Sequence, residues 1–284
     1  MNRRTWLLLP CLVTLLVSAC KDTAKISKTQ ASAHVAFLAE IATKDVAEVR
    51  TGLPQGADLL GAAWKADPAV GTDLKAAADA LEVARRKVQD LRVAKSTFFA
   101  LADDHGVVVR NDQEQDRMAG KALFTSFPDL TGAGKQYTET TGSMPEASGV
   151  RAPRADGQWI AGAPVKVDGV ARGLYVTGWS WSSYAYHLEF ALRGKIRSEL
   201  VNKREENEPL LYVFVLVGSA VYGAPVSPDV SRTALAAVDP LAKAKSGETF
   251  TDTIEITGRA YGLAVQRVPA LGQGVGIAVL RSET

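Results

Sequence analysis

Two kinds of hydrophobic period alternate along this chain, and their order restricts the fold more than any single motif does. From Ser32 to Arg50, residues Val35, Leu38, Ala42, Val46 and Val49 recur at three- and four-residue spacing, the mark of an amphipathic helix. Gly52-Leu53-Pro54 is expected to end it. Thr72 to Lys95 carries the same pattern, with Leu74, Ala77, Leu81, Ala84, Val88 and Leu91 on one stripe and Thr72 placed to cap the start beside Asp73. After residue 95 the period shortens to the strict alternation of a strand. Ser96 to Ala102 and Val107 to Arg110 read as a hairpin around Asp103-Asp104-His105-Gly106, and Trp159 to Val167 with Ala171 to Trp179 as a second around Asp168-Gly169. Pro128 to Asp156 between them reads as one long loop. Ser182 or Ser183 is expected to cap a helix running to about Glu206.

The same order then recurs. Leu210 to Val217 and Ala220 to Tyr222 form a hairpin, Val230 to Lys245 is helical, and Thr249 to Thr257, Tyr261 to Val268 and Val275 to Leu280 are strands. This predicts an α+β fold of N-terminal helices followed by two antiparallel sheets joined by a long helix. The expected divisions are a signal over 1–19, a tether over 20–30, a helical region over 31–95, a first unit over 96–182, a linking helix over 183–207 and a second unit over 208–284.

The amino terminus reads as an export signal. Arg3 and Arg4 precede an apolar run from Trp6 to Val17 that is too short to span a bilayer as a simple anchor. Val17-Ser18-Ala19-Cys20 resembles the lipobox of bacterial lipoproteins. The resemblance implies cleavage before Cys20 and acylation of its thiol and its new amino group, which makes Cys20 a membrane anchor. Two acyl chains give stable attachment where one does not. Cys11 leaves with the signal, so neither a disulfide nor a free cysteine nucleophile is expected. Lys21 stands where an Asp would signal inner-membrane retention, so the resemblance favours the outer membrane in an organism with two.

Charge excludes further classes. The 33 basic groups lose Arg3 and Arg4 with the signal and the 31 acidic groups lose none, leaving a formally neutral exported chain. Without a basic run of five or more, nucleic acid is not an expected partner. His34, His105 and His187 lie in separate elements and form no HExxH pattern. No GxSxG elbow is present, Gly132-Ala133-Gly134-Lys135 lacks the rest of a phosphate loop, and Gly272-Gln273-Gly274 runs into a strand rather than a helix. No enzymatic activity, cofactor or metal is predicted.

The run Phe98-Phe99-Ala100-Leu101-Ala102-Asp103-Asp104-His105-Gly106-Val107-Val108-Val109-Arg110-Asn111, the segment Asp116 to Leu123, and the hairpin Ala163-Pro164-Val165-Lys166-Val167-Asp168-Gly169-Val170-Ala171-Arg172-Gly173-Leu174 resemble the Cache and PAS-like sensory domains that bacteria place outside the cytoplasmic membrane. Residues 210–280 resemble a degenerate second copy. The resemblance implies a sensory or ligand-binding module acting through an envelope signalling partner. It also implies a pocket between the sheet and residues 126–156, bringing Trp159, Tyr175 and Trp179 there with Arg110 as an anion partner for a small-molecule ligand. Trp179, Trp181, Tyr184 and Tyr186 crowd the junction of strand and helix and are read either as a pocket wall or as a seal. The other reading of the whole chain is a structural or assembly lipoprotein without a ligand.

Overall fold

The computed structural model describes residues 9–147, 156–205 and 207–283, with residues 9–22 as backbone alone. Arg3, Arg4, the Cys20 side chain and loop positions 148–155 lie outside the described residues.

Helix α1 runs unbroken over Leu9–Ala66. Both the expected tether and the expected stop at Gly52-Leu53-Pro54 fall inside it. The stop fails because the apolar stripe continues past it, with Leu53, Ala57 and Leu60 fully buried. Pro54 removes one intrahelical donor, and burial of that stripe outweighs the loss. Gly52 and Gly56 allow close approach: a methyl at Gly56 would lie 2.5 Å from Cε1 of Tyr175.

The helix expected over 72–95 divides into α2 (Leu74–Lys87) and α3 (Gln89–Val93), because Val88 is extended at ψ 116°. Asp73, rather than Thr72, caps α2, its Oδ1 accepting from the N–H of Lys75 at 2.9 Å and of Ala76 at 2.8 Å. Leu74, counted on the buried stripe, is exposed.

The chain divides into two compact units, Ile41–Tyr184 and the pair of segments Met1–Glu40 and Ala185–Thr284. In the first, β1 (Phe98–Asp103), β2 (Val108–Asn111), β3 (Thr138–Gly142), β4 (Gln158–Val167) and β5 (Val170–Ser180) form a sheet ordered β2-β1-β5-β4-β3. Every pairing is antiparallel. Strand β3 falls inside the stretch expected to be one long loop, and the short helix α4 (Leu123–Ser126) precedes it. Thr138-Glu139-Thr140-Thr141-Gly142 has no apolar alternation and becomes a strand by pairing with β4, Thr140 opposite Ile160. Asp168 and Gly169 both take left-handed φ, 52° and 80°, as a two-residue hairpin turn requires.

The sheet buries both faces. Phe98, Ala100, Ile160, Leu174 and Val176 form one apolar cluster with Met118, Leu123, Phe127, Leu130 and Met144. Strand alternation puts Phe99, Leu101, Trp159, Tyr175 and Trp179 on the opposite face, where Tyr175 meets Gly56 of α1.

Helix α5 covers Trp181–Lys203. Its start is capped from outside the expected serines: Ser180 Oγ accepts from Ser183 N–H at 3.3 Å, and the Asp156 carboxylate accepts from Ser182 N–H at 3.3 Å. Ser182 and Ser183 donate their N–H groups in this cap, since the helix starts at Trp181, ahead of both serines.

The second unit contains β6 (Leu210–Val217), β7 (Ala220–Gly223), α6 (Asp229–Val238), α7 (Pro240–Lys243), β8 (Thr249–Ile256), β9 (Arg259–Arg267) and β10 (Val275–Ser282). Its order, β7-β6-β10-β9-β8, repeats the permutation of the first sheet strand for strand. The helix expected over 230–245 breaks at Asp239, whose φ is 44°, ahead of Pro240. Leu235 and Leu241 from these helices join Phe214, Leu216, Leu263, Val265 and Ala278 in the core. On α5, Glu189 accepts from Arg193 at 2.9 Å and from Val213 N–H at 3.2 Å, tying the helix to β6.

Candidate functional site

All four residues singled out from sequence share one face of the β1–β5 sheet. Leu101 pairs with Arg110 on β2 and with Tyr175 on β5, so these three form one cross-strand row. Trp159 and Trp179 pair directly four residues further along β5. This is the face packed by α1, not the face closed by Phe127, Leu130 and Met144. Among the described residues of segment 126–156, β3 adjoins the set through Thr141 opposite Trp159.

The indoles of Trp159 and Trp179 are stacked, with centroids 4.3 Å apart and planes at 15°. Tyr184 continues the stack on Trp179 at 4.6 Å and 15°. All three rings are buried. The Tyr184 hydroxyl donates to Asp45 Oδ2 on α1 at 2.9 Å, and burial, followed by the nearby Asp45 charge, raises its pKa well above the ordinary phenol range. Trp181 is also buried but starts α5, and Tyr186 is half exposed.

Tyr175 lies beside Phe99, centroids 5.8 Å apart. The Arg85 guanidinium stands 5.0 Å over the Phe99 ring and donates to Asp112 Oδ2 at 2.9 Å. Asp112 Oδ1 accepts from Phe99 N–H at 2.8 Å. Burial raises the Asp112 pKa, against the opposing effect of those two donors. Burial also raises that of Tyr175, with Asp112 adding to it. The Tyr175 hydroxyl and the Trp179 indole N–H are buried without hydrogen-bond partners among the described residues.

Arg110 alone of the four lines an open groove, about 410 Å³ in volume, between α2 and the end of β2. Asp79, Glu82 and Arg85 line its helix side, and Asp112, Gln113 and Glu114 its strand side. The Arg110 guanidinium donates to Gln113 O at 3.0 Å and stands 3.4 Å from the buried Asp116 carboxylate. Asp116 in turn accepts from the backbone N–H groups of Asn111, Met118 and Ala119, fixing the turn that carries the groove wall. The groove is lined by side chains of both charges, with Arg85 paired to Asp112 and Arg110 beside Asp116 within its wall. Arg85 and Asp112 carry no distinguishing sequence signal, because their relation arises only when α2 crosses β1 and β2.

His105, in the β1–β2 turn, is largely exposed with its ring 3.7 Å from Asp104.

No family model matches the chain, and no curated protein matches it. Solved structures do. The domain of a protein described as sensory box/GGDEF family from Vibrio parahaemolyticus superposes with a TM-score of 0.58 at 11% identity, over 92% of this chain and 98% of that one. The extracellular domain of a protein described as the histidine kinase vpHK1S-Z8 gives 0.57 at 11% identity, over 93% of each. The fold of this chain, two five-stranded antiparallel sheets with the long α1, is therefore the PAS/Cache-like fold of bacterial sensory domains.

Proposed function

We propose that this chain is a lipid-anchored extracytoplasmic sensory module that binds a small polar molecule and acts through an envelope signalling protein. The observation that carries this reading is the two-sheet fold, which superposes on a sensory-box domain and on the extracellular domain of a histidine kinase along nearly the whole chain. The lipobox supports the anchor: residues 1–19 are the signal, and Cys20 becomes the acylated first residue, on the outer membrane where two membranes exist. Among the described residues no helix is long and apolar enough to cross a membrane. Neither catalysis nor a cofactor belongs to this reading.

Within it, Arg110 contacts the ligand in the groove, while Trp159, Tyr175 and Trp179 hold the sheet behind it. Thermal-shift screening against small acids, amines and nucleobases tests the assignment. A compound from these classes is expected to raise the midpoint of the native protein and to lose that effect in Arg110→Ala. If none shifts the native protein, the scaffold reading takes precedence. One observation favours that second reading: both faces of the β1–β5 sheet are filled by apolar and aromatic side chains.

A further inference from the structure

The exported chain is formally neutral, yet several of its cations gather at one end of one unit. Within the unit built on β6–β10, α1 and α5 run antiparallel. Lys195 Nζ of α5 stands 5.0 Å from the Phe37 ring of α1, and Glu199, one turn further along α5, acts electrostatically on His34, three residues earlier on α1. Continuing α5 by about one turn and α1 back by about two, at about 1.5 Å per residue, brings Val201, Lys203 and Arg204 to the same end of the unit as Lys25, Ile26 and Lys28. The carboxy-terminal strand reaches that end too, with Glu283 N–H donating to Ser27 Oγ at 3.2 Å.

Exposed apolar and cationic side chains meet at this end. Ile26 and Val201 are 50% and 76% exposed. Lys25, Lys28, Lys203 and Arg204 form no ion pair among the described residues, whereas the nearby carboxylates of Glu199, Glu208 and Glu283 are taken by Lys195, Arg197 and Arg281. Glu205 is the one exposed acidic side chain described beside them without such a pair. Arg204 also occupies the left-handed position that ends α5, at φ 58°, where its N–H donates to Val201 O and that of Glu205 to Leu200 O. Glycine is the residue this position favours.

We infer that this end of the β6–β10 unit lies on an anionic phospholipid surface, with Lys25, Lys28, Lys203 and Arg204 against the headgroups and Ile26 and Val201 at the level of the acyl boundary. The inference rests on the reading of Cys20 as the lipid-bearing residue, from which Lys25 is only five residues, about 7.5 Å, along α1. Acyl chains hold the protein to any bilayer, and the cationic end fixes how the unit sits on an acidic one. Each such cation contributes near an anionic surface, and the effect is screened by salt.

Lysine acetylation footprinting of the processed protein tests this on vesicles of pure phosphatidylcholine and of a phosphatidylcholine–phosphatidylglycerol mixture. Lys25, Lys28 and Lys203 are expected to react severalfold more slowly on the mixture, the difference disappearing in high salt. Arg204→Gly removes one cation and places the favoured residue at the left-handed position, so it folds; it is expected to weaken the protection of the three lysines. Equal reactivity on the two membranes, or protection unchanged in Arg204→Gly and in salt, would overturn the inference. Flotation with the phosphatidylcholine vesicles reports the acyl anchor separately, since the cationic end has no anionic headgroup to hold there. A protein that fails to float but is still protected on the mixture would cost the Cys20 reading and leave the surface standing.

Discussion

Trp159 and Trp179 face each other across neighbouring strands with their indoles stacked at 4.3 Å, and both are buried against the α1 side of the sheet. Buried this way, the pair is a structural member before it is anything else. Truncation of either to Ala is expected to destabilise the β1–β5 unit by about 3–5 kcal/mol. The double variant should lose less than the sum, by about 0.5–1.5 kcal/mol, because the stacking energy is counted in each single change. Urea denaturation of the four proteins measures this, and additive losses would show that the stack contributes nothing beyond burial.

Glycines at two helix positions should respond in opposite directions. A methyl at Gly56 would lie 2.5 Å from Tyr175 Cε1 and 2.8 Å from Leu91 Cδ1, so Gly56→Ala is expected to cost about 1–3 kcal/mol through forced repacking. Gly194 sits on the exposed side of α5, where an added methyl would have no neighbour within 4 Å. Gly194→Ala is expected to stabilise by about 0.5–1 kcal/mol through helix propensity. Melting curves of both variants are the check, and a stabilised Gly56→Ala would contradict the close approach of α1 to the sheet.

Acid sensitivity of the β6–β10 unit should trace to His34. Burial, reinforced by the Arg281 charge, lowers its pKa to about 4, from an ordinary value near 6.5. The unfolded chain therefore binds a proton that the folded one does not between these values. Stability is fully present above the unfolded pKa and is lost as pH falls from about 6.5 towards 4. The loss amounts to about 3 kcal/mol at its limit. The surrounding charges are Arg281 and Glu283 at the carboxy-terminal end and Lys195 and Glu199 on α5. Denaturation midpoints measured across that window should flatten in His34→Leu; an unchanged slope would assign the acid lability to another group.

Much of this architecture was legible from local signals. Alternation located nine of the strands to within a few residues, and the Asp168-Gly169 turn followed from its residue types. What escaped were features set by tertiary contact. Strand β3 is threonine-rich and depends on β4 for its shape. Helix α1 continues through Pro54 because Leu53, Ala57 and Leu60 are buried on either side of it. The candidate site shows the same limit. The family resemblance groups Trp159, Tyr175 and Trp179, and strand pairing sets them on a shared face, but only packing reveals that this face meets α1. Arg85 and Asp112 became part of the groove for the same reason.

Intact mass spectrometry of the protein extracted from its native membranes decides whether Cys20 carries the anchor. The expected result is a chain beginning at Cys20 that carries two or three acyl chains, with Cys20→Ser losing both the acyl mass and membrane attachment. A chain that keeps residues 1–19, or one cut there with an unmodified Cys20, would contradict a lipid-anchored module.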